Sequence, residues 1–268
     1  MASLTLTTDL GKKINAKVEY NPIINGKSLD AQRIVDAINL YYPKTLTAYE
    51  NEDVYLNKPF FVGIRTKSCG VSGVKGGVVA DDVFVMLRRQ TNPLFPLTKE
   101  WTIEYYPMTT DPTAGYRQKP IAGQNKTGYL IARNWKPTEQ IPEFCGHYLY
   151  QIGNYANSNA LVCRTEQNVW QLSTVAKGKQ QIPEGMTVDA YAKQIKLAPS
   201  RYQAGMFIHR SWGDLMFNDS AGCQVFKDNN DLTKIFNLCL SWQIKMKNAK
   251  KKFSKFFDYI LVDADMIV

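Results

Sequence analysis

Two short windows hold the residue types that covalent chemistry needs: Gly205-Met206-Phe207-Ile208-His209-Arg210 and Ser220-Ala221-Gly222-Cys223-Gln224-Val225-Phe226. A free thiol near neutral pH is only a few per cent thiolate, and the thiolate is the nucleophile. An imidazole within reach can take that proton and later return it to a leaving group. His209 ends an apolar run, which puts it at the mouth of a strand. Cys223 follows 14 positions later, after a loop able to fold back on it. Gly222 lacks a Cβ, so it tolerates unusual dihedrals and close approach of a carbonyl. The Gly222 and Cys223 amides are natural oxyanion donors, and Ser220 can brace the turn through its hydroxyl. The bland alternative stands beside this one: Cys223 as a small buried residue with inert sulfur, His209 as a satisfied strand-end histidine.

Other candidates carry less. Asp81 and Asp82 are adjacent, so on a strand they face opposite ways and cannot form a facing acid/base pair. Thr109-Thr110-Asp111-Pro112 reads as a turn by local chemistry. The glycine-rich Gly70–Gly77 loop lacks the Gly-Lys-Ser/Thr ending of a phosphate loop and reads as a hairpin or lid. Arg210 and Trp212 flank the histidine, as substrate contacts or as loop anchors. His147 beside Cys145 reads as structural or exposed. The five cysteines (Cys69, Cys145, Cys163, Cys223, Cys239) are odd in number and include no C-x-x-C pair, which argues against a disulfide framework or a zinc ribbon. With two histidines in the chain, no metal or other cofactor is expected.

The elements that must position these groups read as short strands. Apolar runs occur at Phe60–Ile64, Val83–Leu87, Trp101–Tyr106, Gly128–Ala132, Tyr148–Ile152, Ala160–Arg164, Met206–His209 and Phe256–Val262, with Asn, Gly and Pro turns between them. Ser28 and Asp30 can cap a helix through Ala31, Ile34, Val35, Ile38 and Leu40 that stops before Pro43. Residues 44–58 read as linker. A second helix is marked by Leu232, Ile235, Phe236, Cys239, Trp242 and Met246 at i, i+3/i+4 spacing. The fold class is therefore mainly β (a β-rich α+β domain, sandwich or barrel) with one or two helices. Residues 1–58 are expected to form a small N-terminal helical extension, for docking or anchoring, ahead of a domain over 59–268.

The 268 residues carry 33 basic against 24 acidic side chains, a formal charge of +9. Six lysines, Lys245, Lys247, Lys250, Lys251, Lys252 and Lys255, lie in one acid-free stretch, leaving 27 basic against 24 acidic residues elsewhere. A general nucleic-acid binder usually spreads its charge over a face or groove, so the run reads as a solvated helix end or turn, or as a local site for an anionic partner: a phosphate-rich polymer, lipid or nucleic acid. No apolar run approaches a membrane span, and the start of the chain shows no secretory signal pattern.

The Ile-His pair followed by Ser-x-Gly-Cys resembles the signature of L,D-transpeptidase catalytic domains. Phe207–Arg210 with Ser220–Phe226 is similar, more narrowly, to a phage-encoded branch of that superfamily. Val62-Gly63-Ile64-Arg65, Asp81-Asp82, Thr109–Pro112, Tyr150-Gln151-Ile152-Gly153 and Ala160-Leu161-Val162 follow the same order, over roughly residues 60–262. The resemblance implies an L,D-transpeptidase-like fold and action on peptidoglycan stem peptides, with Cys223 as nucleophile, His209 as general base, and Ser220 and Gly222 as the turn. It brings Thr110 and Asp111 toward the substrate. It also implies a virion-associated or host-cytoplasmic protein that uses residues 1–58 toward other virion proteins. The chain departs from the pattern in its short His-to-Cys loop, in Val225 two places after the cysteine, and in Ile152-Gly153-Asn154-Tyr155 where the family has Tyr-x-x-Gly-x-His. Two functions follow: a cysteine enzyme of the cell wall, or a structural tail, capsid or cargo protein that keeps the fold without activity.

Overall fold

The computed structural model describes residues 3–7, 13–17, 22–66, 80, 82–112, 126–132, 146–173, 182–183, 185–202, 205–212, 220 and 222–268. Cys69, the Gly70–Gly77 loop, Asp81 and Cys145 lie outside the described residues.

In chain order, β1 (Ser3–Thr7) pairs with β2 (Lys13–Lys17), and β3 (Ile23–Ile24) with β4 (Lys27–Ser28). Helices α1 (Ala31–Tyr41) and α2 (Thr47–Asn51) precede β5 (Phe60–Arg65), β6 (Asp82–Thr91), β7 (Lys99–Thr109) and β8 (Lys126–Leu130). Then come β9 (His147–Tyr155), β10 (Ser158–Cys163), β11 (Gln167–Ser173), α3 (Val188–Gln194), β12 (Ser200–Tyr202), β13 (Phe207–Arg210) and β14 (Gln224–Phe226). The chain ends through α4 (Asn229–Asn248) and β15 (Phe257–Asp263). The protein is mainly β. Eight strands close a barrel in the order β10-β13-β14-β7-β6-β5-β15-β9, and β12-β11-β8 form a separate small sheet. Most barrel neighbours are antiparallel; β13–β14 and β15–β5 are parallel.

Burial explains the sequence texture. The unbroken run Phe60-Phe61-Val62-Gly63-Ile64 belongs to a strand buried along its whole length, because both faces are covered. Phe61, Phe84, Tyr148, Tyr150, Ile208, Phe226 and Tyr259 share one core with Leu232, Ile235, Cys239 and Trp242 of α4. The opposite face of β5, β6 and β15, with Phe60, Val62, Val85 and Ile260, packs against Ile34, Val35 and Ile38 of α1 and Tyr49 of α2. Each such aliphatic residue contributes about 1.5–3 kcal/mol on full burial.

The segment expected as an extension therefore shares a core with the barrel. From residue 22 to 58 it is clamped to it: Asn25 Nδ2 donates to the Ala264 and Ile267 carbonyls, and the Tyr42 hydroxyl sits 2.9 Å from the Leu261 carbonyl. Residues 44–58, read as linker, contain α2 and a 3-10 turn. The α1 cap is Asp30, whose side chain accepts from the Arg33 amide at 2.9 Å. Leu40, assigned to the apolar face of α1, is exposed.

Candidate active site

Strand alternation and register bring His209 and Cys223 to one face. In β13, Ile208 turns into the barrel core and His209 turns outward. In the parallel partner β14, Gln224 aligns with Ile208 and Val225 with His209. Cys223, one residue before β14, therefore shares the outer face with His209 as its diagonal neighbour. Strand spacing and rise put their Cα atoms roughly 8 Å apart.

The imidazole has a defined tautomer. His209 Nδ1 lies 2.7 Å from the Arg210 carbonyl oxygen, which can only accept. Nδ1 thus carries the hydrogen, and in the neutral ring Nε2 keeps the lone pair a general base needs. Aromatic rings frame it: Tyr155 stacks on Phe207 at 4.3 Å and lies 4.9 Å from His209, while the Trp212 ring lies 6.2 Å away. Tyr155 occupies the position where the resemblance expects a second histidine. Trp212, 41 % exposed, forms the rim.

The thiol rests in a closed setting. Cys223 is buried, and its sulfur accepts the Phe207 amide hydrogen at 3.4 Å. Burial pushes the thiol up to about 11, with the Phe207 amide acting in the opposite direction. In this conformation the sulfur is protonated at neutral pH.

Ser220 ties the turn as the sequence suggests. Its hydroxyl donates to the Cys223 carbonyl at 2.7 Å and its oxygen accepts from the Gly222 amide at 3.0 Å. This corrects one expectation: the Gly222 amide is engaged by Ser220 and is not an open oxyanion donor here. Gly222 itself is required by geometry. Its φ is +141°, and a Cβ would stand 2.7 Å from Met206 Cε and 2.9 Å from the Gly128 carbonyl oxygen.

A polar layer supports the turn from beneath. Gln224 Nε2 donates to the Gly222 carbonyl at 3.3 Å, and its Oε1 accepts from the Tyr259 hydroxyl at 2.7 Å. Gly63 makes that reach available, since a Cβ there would collide with the Tyr259 hydroxyl. Deeper, Arg65 is fully buried and pairs with Asp111 at 3.0 Å and Asp189 at 3.1 Å, while donating to Thr110 Oγ1 and the Leu130 carbonyl. Burial opposes its charge, but Asp111, Asp189, Asp263 and Asp82 together hold the guanidinium ionised well above its usual range. Asp82 accepts from the Thr110 amide and hydroxyl, both at 2.7 Å, and from the Thr66 amide at 2.8 Å.

Thr110 and Asp111, expected at the substrate, are thus corrected to bracing residues. Both are fully buried: Thr110 bonds to Asp82 and Arg65, and Asp111 Oδ1 pairs with the Arg65 guanidinium. Arg210 packs as a neighbour of the rim. Alternation turns it away from the His209 face, its guanidinium lies over the Trp212 ring at 4.7 Å, and it borders a polar cavity of about 310 Å³ with Asn159, Asn229 and Thr233. Another cavity, of about 530 Å³, opens beside Phe207 between Val162, Arg164, Glu166 and Gly205. Far from the site, His147 Nε2 pairs with Asp258 at 2.9 Å. The six lysines of the basic run are all exposed.

Sequence reasoning missed Arg65 as a hub, and it missed Tyr155 and Gln224. Each sits inside a quoted motif, yet only pairing across strands reveals its role. Among the described residues, no group of three or more His, Cys, Asp or Glu could hold a metal ion, and no helix is long and apolar enough to cross a membrane. No protein-family model, curated protein or solved structure matches the chain.

Proposed function

We propose that the protein is a phage-encoded cysteine acyl-transfer enzyme acting on peptidoglycan stem peptides, with peptide cleavage as its main outcome. The observation that carries this reading is the shared outer face of His209 and Cys223, with the imidazole tautomer set by the Arg210 carbonyl. His209 Nε2 would take the proton from Cys223 Sγ. The thiolate would then attack a peptide carbonyl carbon, and collapse of the adduct would break the C–N bond. The imidazolium would protonate the departing amine, leaving a thioester. Water then regenerates the thiol and gives hydrolysis; an amine gives a new cross-link. The cavity beside Phe207 offers room for the peptide, and the Tyr155 and Trp212 rings would screen the reacting atoms from solvent.

The test is mass spectrometry of muropeptides from purified sacculi treated with the protein and with Cys223→Ala. Cleaved or re-linked stem peptides that vanish in the variant support the reading. An unchanged profile across several wall chemistries refutes it.

Two observations favour the second reading, a structural virion protein that keeps the fold without turnover. The thiol is raised and the Gly222 amide is already engaged by Ser220. Under that reading, iodoacetamide reacts with Cys223 slowly at neutral pH whether or not stem peptide is present.

A further inference from the structure

The β6–β7 hairpin ends in Asn92-Pro93-Leu94-Phe95-Pro96-Leu97-Thr98, and its three large apolar side chains point into water: Leu94 is 80 %, Phe95 65 % and Leu97 99 % exposed. Three such residues within four positions at the end of an arm differ from the scattered apolar residues any surface carries. The tip is a built structure. Asn92 Oδ1 accepts from the Leu94 and Phe95 amides at 2.8 and 3.1 Å, and the Asn92 amide donates to the Thr98 carbonyl at 2.9 Å. The two prolines fix their own φ. The apolar groups are thus held outward.

The foot of this tip lies near the lysine run that follows α4. Lys99, two residues past Leu97, bonds to Asp53, and Arg89 and Lys251 act on the same carboxylate. Lys250, Lys251 and Lys252 lie beside one another in that exposed, acid-free run. An apolar tip beside a lysine cluster matches a surface that is anionic outside and hydrocarbon within. A nucleic acid or acidic polymer would use the lysines and leave the leucines in water. A protein partner would need a groove to receive the arm.

We infer that this end of the barrel is a peripheral docking surface for an anionic lipid bilayer, with Leu94, Phe95 and Leu97 entering the headgroup–acyl boundary and the lysine run meeting the headgroups. The inference stands apart from the proposed chemistry, since it uses none of the residues around His209 and Cys223.

The experiment is vesicle flotation of the full chain with phosphatidylglycerol/phosphatidylcholine and with phosphatidylcholine alone, at low and high salt. The variants are Leu94→Ser/Phe95→Ser/Leu97→Ser and Lys250→Glu/Lys251→Glu/Lys252→Glu, each checked for folding by circular dichroism. Expected is salt-sensitive binding to the anionic vesicles, lowered about tenfold or more by either variant. No binding to anionic vesicles at low salt overturns the inference. So does binding that the serine variant retains, which would reduce the face to a polyanion site. Self-association in sedimentation velocity that the serine variant abolishes, with no vesicle binding, would make the tip an interface between copies and equally overturn it.

Discussion

Replacing Gly222 by alanine tests the turn that presents the thiol. Two costs can be worked from its surroundings. At φ +141° an L side chain is strained, which costs about 1–3 kcal/mol. The new Cβ would also press on Met206 Cε at 2.7 Å and on the Gly128 carbonyl oxygen at 2.9 Å. The methionine end can move, but the carbonyl belongs to β8 and cannot move alone, so crowding adds about 1–3 kcal/mol. The expected total is about 4 kcal/mol, a large part of the roughly 5–15 kcal/mol that holds a domain folded. Gly26 supplies the control: its φ is +74° and nothing lies within 4 Å of an added Cβ, so Gly26→Ala carries backbone strain alone, about 1–2 kcal/mol. Guanidinium unfolding followed by tryptophan fluorescence reads both variants, with an unchanged m-value showing that only stability moved. In a thermal scan, Gly222→Ala should lower Tm by roughly 8–16 °C. The shift should also loosen the Phe207–Cys223 contact and speed alkylation of the thiol. If Gly222→Ala costs no more than Gly26→Ala, β8 does not press on the turn, and the geometry argued for Cys223 fails with it.

Two more predictions follow from buried charge. Arg65→Met removes the guanidinium paired with Asp111 and Asp189 and should cost about 3–5 kcal/mol in guanidinium unfolding. Arg65→Lys should recover only part of that, because one ammonium cannot span the same set of acceptors; full recovery would show that charge alone matters there. The Cys223 thiol gives a pH signature. Raised by burial from about 9 to about 11, it favours the protonated folded state, so its contribution is intact below pH 9 and is lost as pH rises toward 11. That amounts to about 2–3 kcal/mol, and Cys223→Ala should flatten the fall in unfolding midpoint between pH 8 and pH 10.5. Cys239, also pushed up by burial, leaves a residual slope. Equal losses in the parent and the variant would contradict the buried thiol.

How far the sequence reached depends on the range of the information. The six apolar residues spaced along α4 are the ones its buried face uses, because helical periodicity is local. The Asp30 cap of α1 and most barrel strands were legible for the same reason. The short strands β12 and β14 were not, since three residues carry no period of their own. α3 was missed as well; its seven residues are fixed by packing of Val188 and Ala192 on Trp170, and that contact is long-range. At the site, Ser220, Gly222, Cys223 and His209 were singled out by type and spacing alone. Thr110 and Asp111 were assigned to the substrate, because a turn sequence does not reveal that Arg65, 45 residues before Thr110, closes over it from below.

The mainly-β class, the buried face of α4, the basic run and the serine-braced turn before the thiol are legible in the sequence. These follow from local spacing and from the valence of single side chains. Tertiary structure alone decided that the barrel closes, that residues 22–58 share its core, and that β13 and β14 run parallel with His209 level with Val225. It also decided the state of the thiol. The pKa of a cysteine depends on how much water its neighbours exclude, and here those neighbours come from strands far apart in the chain.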